Sequence, residues 1–284
     1  MPKEEGFYAL RPLLFSIAYK MTGTVQDSED ILQDVLVKWL QVAQPVSSQK
    51  AYLAKAVANT CINFIKRKQQ EREKYFGLWL PEPVPTEEPE LLPQEDEELQ
   101  YGFLLLLENL SPLERAVYLL RESFGLSYKE LAENFELQED HCRQLYHRAK
   151  ARLHKRKRFE VESQQKHKML MLFEEACTTG NLSLLIGQLK EDIVLYSDGG
   201  GKVPAAVNNI HGKTNASKFL QGIYSKNGVR ATFRFVYLNN SPAAVVFING
   251  GPDTVAVLEA DESGISHMYF VRNPEKIQHL QKFL

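Results

Sequence analysis

The chain has 284 residues, room for two or three small domains. Hydrophobic residues make up 44% and charged residues 25%, the balance of a globular protein, and a formal net charge of −2 says nothing by itself about nucleic acid. Three widely spaced cysteines (Cys61, Cys142, Cys177) form no CxxC pair, which excludes a disulfide framework and a zinc site as first readings. The start MPKEEGFYAL lacks the pattern of a signal peptide, and the longest apolar run, Phe103 to Leu107, is far too short to span a bilayer. The expectation is a cytoplasmic protein with no membrane segment.

Residues 7 to about 75 carry apolar positions at helical spacing. Thr22-Gly23 separates a first helix from a second starting near Asp27, and Pro45 with Ser47-Ser48 separates the second from a third starting near Ser48. Residues 76–98 hold Pro81, Pro83, Pro85, Pro89 and Pro93, with eight acids from Glu82 to Glu98 and no Lys or Arg, the composition of an extended linker. Helical patterning resumes over about 99–160. Ser111-Pro-Leu-Glu114 and Ser127-Tyr-Lys-Glu130 both write a capping box at a helix start. Helices follow over about 166–178 and 182–190. Five β-like runs come next: Ile193 to Tyr196, Thr232 to Leu238, Ala243 to Ile248, Thr254 to Glu259 and Ile265 to Arg272. Turns are expected at Asn239-Asn-Ser-Pro242 and Asn249-Gly-Gly-Pro252. The predicted layout is all-α, acidic linker, all-α, then α+β.

On the second helix, Asp27, Asp30 and Asp34 share a face beside Glu29 and Gln33, while Leu32, Val35, Leu36 and Trp39 form the apolar stripe. Such an acidic row suits a basic protein surface; it also suits a solvated helix start, where the dipole favours acids. On the third helix, Lys55, Asn59, Asn63 and Lys66 line a polar face, followed by Arg67. Amides and bases together can contact phosphates and base edges, although an exposed polar face needs no such role.

Residues 127–153 read as a helix-turn-helix with Phe135-Glu-Leu137 as the turn. Leu131, Ala132, Leu137, Cys142 and Leu145 would pack inside. Tyr128, His141, Arg143, Gln144, His147 and Arg148 are left as candidates to face DNA, since Arg and Gln can read the major groove. From Arg143 to Arg158 there are eight Lys or Arg and no acid, a stripe that would neutralise phosphates. A plain helical hairpin with a basic tail remains the alternative. His141 and His147 have no third ligand nearby, so no metal is expected.

Taken together, DSEDILQDVLVKW and AYLAKAVANTCINFIKRKQQERE resemble region two of bacterial sigma factors, and the stretch from Leu110 to Leu153 resembles region four. Two helical modules with a short linker resemble the extracytoplasmic-function group. Residues 173–212 resemble a SnoaL-like domain, a cone-shaped α+β fold around a pocket. Trp79-Leu-Pro81-Glu-Pro83, Asp198-Gly199-Gly200-Gly201-Lys202 and Asn273-Pro274-Glu-Lys276 match the subgroup in which that domain is fused behind the sigma modules. The resemblance implies four parts: region two (1–75), linker (76–98), region four (99–160) and a SnoaL-like regulatory domain (164–284).

It further implies that Asp27, Glu29, Asp30, Gln33, Asp34 and Trp39 bind the β′ clamp helices of core RNA polymerase. Residues 43–50 with Asn59, Asn63 and Lys66 would melt the −10 element, flipping a base out of the stack. The recognition helix would read the −35 element. Where the family commonly has glycine in the turn, this chain has Phe135-Glu136-Leu137, and Asp140 is expected to cap the next helix in place of a serine. The resemblance implies a monomer without cofactor or catalytic activity, whose C-terminal pocket is a candidate site for a small-molecule ligand. Asp198, His211, Asp261 and His267 are the residues an enzyme of this fold would use. The competing reading is an autonomous helix-turn-helix regulator with a ligand-sensing domain.

Overall fold

The computed structural model describes residues 3–86, 99–153, 163–227 and 231–283. They fall into two compact units, one of residues 3–73 with 99–153 and one of residues 74–85 with 163–283. No helix among the described residues is long and apolar enough to cross a membrane.

In the first unit, α1 (Lys3–Thr22), α2 (Val25–Gln41) and α3 (Gln49–Glu73) pack on one another around Phe7, Leu14, Ile17, Ile31, Val35, Leu53 and Val57. Pro12 lies inside α1, which continues through it. Trp39 belongs to this core: its indole N–H donates to the Lys3 carbonyl at 3.1 Å and its ring lies 5.3 Å from that of Tyr52. Next come α4 (Tyr101–Glu108), α5 (Pro112–Phe124), α6 (Tyr128–Phe135) and α7 (Glu139–Leu153). Both capping boxes form, Ser111 with Glu114 and Ser127 with Glu130. Arg115, almost fully buried on α5, donates to the Met21 carbonyl and to Glu108, so it ties α1, α4 and α5 together.

The helix-turn-helix turns without glycine because Glu136 itself takes the left-handed conformation, φ 55° and ψ 45°. Its N–H and that of Leu137 both close on the Ala132 carbonyl. Asp140 sits inside the first turn of α7 rather than at its cap, because α7 already begins at Glu139. There it interacts favourably with the helix dipole.

The second unit contains α8 (Ser163–Thr179), α9 (Ser183–Gly187) and a six-stranded sheet. Its strands are β1 (Leu189–Asp198), β2 (Ile210–His211), β3 (Ala231–Leu238), β4 (Ser241–Ile248), β5 (Gly251–Asp261) and β6 (Gly264–Val271). The order is β2-β1-β6-β5-β4-β3, and only β1 and β6 run parallel. Register shifts in β1, β4 and β5 bend the sheet. Its concave face packs on α8 and on α10 (Lys213–Asn227) through Leu170, Phe173, Leu195, Ala216, Leu220, Leu258 and Phe270. On β5 and β6 the alternate residues Val255, Val257, Tyr269 and Val271 are buried too. Residues 276–280 pack on β5, in α11 (Pro274–Ile277) and the 3-10 helix Gln278–Phe283.

Both expected hairpin turns form, with Asn239-Asn240 and Asn249-Gly250 at positive φ between directly paired strand ends. One expectation fails here, and two elements were not expected. The helix expected over 182–190 stops at Gly187, because Leu189, Ile193 and Leu195 are drawn into the sheet beside β6. The helix α10 and the short β2 carry no clear sequence signal; α10 runs unbroken through Gly222, and burial of Ala216 and Leu220 holds it. The first part of the expected linker, residues 76–85, is extended but packed as part of this unit, while residues 87–98 lie outside the described residues.

The strained turn gives a direct test. A left-handed non-glycine residue costs about 1–2 kcal/mol, of which glycine's extra unfolded-state entropy returns about 0.5–1. Glu136→Gly is expected to stabilise the protein by about 0.5 kcal/mol in urea unfolding; a destabilised variant would contradict the turn geometry.

Candidate functional site

The acidic face of α2 divides into free and engaged groups. Asp30, Gln33 and Asp34 are exposed. Asp27 accepts the Thr24 hydroxyl at 2.6 Å, and Glu29 receives a two-pronged bond from Arg11 at 2.6 and 2.7 Å. Trp39 is 4% exposed, so it supports the face from within and is not itself a contact surface. Its aromatic bulk on the apolar stripe is the reason.

On α3, Asn63, Lys66 and Arg67 are exposed, and Lys55 is half-buried. Asn59 exchanges amide hydrogen bonds with Asn134 of α6, at 3.1 and 3.5 Å. The Lys50 ammonium lies 5.3 Å above the Phe124 ring of α5. The N-terminal half of this polar face is thus occupied by the helix-turn-helix module, and its C-terminal half is open.

On α7, His141, Arg143, Gln144, His147 and Arg148 are all exposed, while Cys142, Leu145, Tyr146 and Ala149 form the inner stripe. The guanidinium groups of Arg121 and Arg143 each lie over the Tyr128 ring, 4.6 Å from its centre. Arg143 also lies 3.8 Å from Asp140. Arg148 and Arg152 lie 3.8 and 2.9 Å from Glu114. Burial raises the Glu114 pKa, but the Ser111 N–H and hydroxyl and these two cations outweigh it and hold the carboxyl below its usual range. Of the basic stripe, residues 154–158 lie outside the described residues.

In the second unit, three separated motifs meet at one buried carboxylate. Asp198 ends β1 with no solvent exposure. It accepts the Tyr75 hydroxyl (2.6 Å), the Leu80 N–H (2.9 Å), the Gly200 N–H (2.9 Å) and the Lys276 ammonium (2.7 Å). Lys276 also donates to the Leu80 carbonyl at 2.5 Å and stands 4.2 Å above the Trp79 ring. Asn273 caps α11 and donates to Tyr75 at 3.0 Å. Burial and the neighbouring Asp198 carboxylate push the Tyr75 phenol well above its ordinary range, so it stays a donor.

Gly199 and Gly200 are required here: a Cβ would lie 2.3 Å from the Val203 carbonyl at the first and 2.4 Å from Asn273 at the second. Gly201 has positive φ and faces Phe76, Lys202 is exposed and pairs with Glu275, and Pro274 opens α11. Pro81 is buried. Farther along, the Val84 N–H donates to Asn239, the Asn239 N–H donates to Val84, and His279 pairs with the Pro83 carbonyl. Residues 74–85 thus form a strap laced to the domain from Tyr75 to Pro85. Tyr75, Asn239 and His279 were not legible as site residues, since their partners lie far along the chain.

The four residues an enzyme would use do not converge. Asp198 is the strap anchor, His211 is exposed on β2 and Asp261 pairs with Lys190 at 2.7 Å. His267 stacks with Tyr196 and Tyr269 on the face opposite the concave core.

A helix-turn-helix with an outward basic recognition helix, joined to a three-helix module with an acidic surface, defines a DNA-binding transcription factor. Residues 7–71 match the Sigma-70 region 2 family and residues 102–153 the Sigma-70, region 4 family. The chain is 30% identical over 228 residues, 78% of its length and 73% of the relative's, to the ECF RNA polymerase sigma factor SigJ of Mycobacterium tuberculosis. It is 29% identical to a probable ECF sigma factor SigI of the same species, over 65% of this chain and 66% of that one. The crystal structure of Mycobacterium tuberculosis SigJ shares the fold, with a TM-score of 0.76 at 24% identity over 96% of this chain and 98% of that one.

The chain belongs to the extracytoplasmic-function RNA polymerase sigma factors, with an α+β domain behind its two helical modules. Such proteins bind core polymerase and promoter DNA and are initiation factors rather than enzymes, which sets aside the autonomous regulator.

Removing one member of a buried ion pair leaves the other charge uncompensated, at a cost of about 3–5 kcal/mol. Asp198→Ala is therefore expected to release the strap, with hydrogen exchange at the Leu80 and Val84 amides accelerating at least a hundredfold. Exchange left at the wild-type rate would refute the anchor.

Proposed function

We propose that this sigma factor acts in the cytoplasm as a monomer whose promoter engagement is controlled by the strap. The observation that carries the reading is the clamping of residues 74–85, which directly follow α3 and lead toward region four.

With the strap held, residues 86–100 remain to join the two modules, about 50 Å at full extension. With it released, residues 74–100 can reach about 90 Å. Elements named −10 and −35 lie about 25 base pairs apart, roughly 85 Å along the duplex at 3.4 Å per pair. A held strap favours the closed pairing of Asn59 with Asn134; a released one lets regions two and four separate onto DNA. Asn59, Asn63, Lys55, Lys66 and Arg67 then contact the −10 element. Tyr128, His141, Arg143, Gln144, His147 and Arg148 contact the −35 element. Asp30, Gln33 and Asp34, with Asp27 and Glu29 beside them, dock on the β′ clamp helices. Gly199 to Lys202, Asn273, Pro274, Trp79 and Pro81 serve the clamp. A small molecule in the C-terminal pocket would bias it, to the extent that it binds the two states unequally.

Two outcomes test this. Asp30→Lys with Asp34→Lys is expected to weaken association with core polymerase at least tenfold while leaving the folded protein intact by circular dichroism; unchanged co-elution with core would contradict the docking face. Arg143→Ala is expected to reduce promoter affinity by about 1–3 kcal/mol in a binding titration, most strongly on templates with the intact −35 element.

A further inference from the structure

The recognition helix α7 is held from α5 by a carboxylate whose role at the helix cap accounts for only half of its chemistry. Glu114 is the third residue of α5, and its Oε2 accepts the Ser111 N–H at 3.0 Å. Glutamine closes a capping box as glutamate does, so the cap requires an acceptor and not a charge. The charge has partners of its own. The Arg152 guanidinium donates to the same Oε2 at 2.9 Å, and that of Arg148 lies 3.8 Å from Oε1. The two arginines stand one turn apart on α7, and among the described residues neither has another ionic partner.

The two sides of this contact differ in exposure. The Glu114 side chain is 6% exposed, while Arg148 and Arg152 keep about half of theirs in water. A charge sunk in the protein attracts at a lower effective dielectric than one on the surface. Glu139 and Asp140, the acids near Arg143, are by contrast exposed and on its own helix. Burial pushes the Glu114 carboxyl up, but the Ser111 groups and the two cations outweigh it, so Glu114 stays charged at neutral pH.

This matters on a surface that reads DNA. Free arginines attract any phosphate, and phosphate contacts carry no sequence information. A guanidinium tied to a fixed carboxylate reaches only the groups that lie where it points. Part of its charge is also offset by an anion that DNA cannot displace, because Glu114 is built into the cap of α5.

We propose that Glu114 is a specificity-determining residue of the −35 interface: it positions Arg148 and Arg152 and suppresses their binding to DNA of the wrong sequence. Arg152, one turn beyond Arg148, thereby joins the interface. The inference rests on the reading of α7 as the helix that meets the −35 element.

The test is competitive titration of the holoenzyme, formed from the full chain and bacterial core polymerase. Its templates are the promoter of the protein's own gene and the same DNA with the −35 element scrambled. Glu114→Gln keeps an acceptor for Ser111 and removes the charge. It is expected to bind the scrambled template at least threefold more tightly than the wild type does, with little change on the intact one. The fall of log affinity with log salt should steepen by about 0.9 for each arginine set free. With Arg148→Ala and Arg152→Ala already in place, adding Glu114→Gln should change neither quantity. Arg148→Ala with Arg152→Ala alone, both half-exposed positions, should cut the preference for the intact template at least threefold.

Wild-type discrimination and salt dependence in Glu114→Gln overturn the proposal. A loss of affinity shared equally by both templates overturns it too, by making the carboxylate structural. So does an effect that persists without the two arginines, or an unchanged preference when both are replaced. Failure of the −35 reading has its own sign: Arg143→Ala then binds both templates as the wild type does.

Discussion

Asp198 and Lys276 are a charge pair withdrawn from water, and the grip of the C-terminal domain on residues 74–85 depends on them. Burying either charge is costly, and the arrangement repays that cost only by satisfying nearly every donor and acceptor nearby. Asp198 takes four donors, and Lys276 reaches both the carboxylate and the Leu80 carbonyl beneath the Trp79 ring. A network of this sort is held together as a unit, because removing one member strands the others. It suits a clamp that is closed or open rather than gradually loosened.

The clamp acts on a segment whose place in the chain gives it leverage. Residues 74–85 begin where α3 ends, so in the proposed mechanism fixing them shortens the tether between the two helical modules. Within the helical unit, the Asn59–Asn134 amide pair and the Lys50–Phe124 contact are half-buried interactions, each worth about 1 kcal/mol or less. Arg115 lies deeper, donating to Met21 and Glu108, so separation of the modules has to proceed around it or break it.

The fold was legible where local chemistry decides structure. Two capping boxes, the hairpin asparagines and the apolar stripes of α2 and α7 gave helix starts, turns and faces that the structure shows. The helix α10 was not legible, because tertiary burial of Ala216 and Leu220 rather than any cap or period creates it. The end of the helix expected over 182–190 was lost for the same reason, to pairing with β6. At the site, the glycine motif and the strap motif could be singled out, and the reason for them could not. Tyr75 and Asn273 are meaningful only once the fold brings them to Asp198. Trp39 was legible from the residues as part of the buried apolar stripe, and only the family resemblance put it on the contact surface; its indole N–H is satisfied by the Lys3 carbonyl inside the core.

The most direct test of the central claim is run-off transcription with bacterial core polymerase on the promoter of the protein's own gene, comparing the wild type with Asp198→Ala. A discrete transcript that depends on the wild-type protein, and that rises severalfold when the anchor is removed, is the predicted result. Equal yields from the two proteins would contradict control by the strap, and no transcript from either would contradict the account of the helical unit.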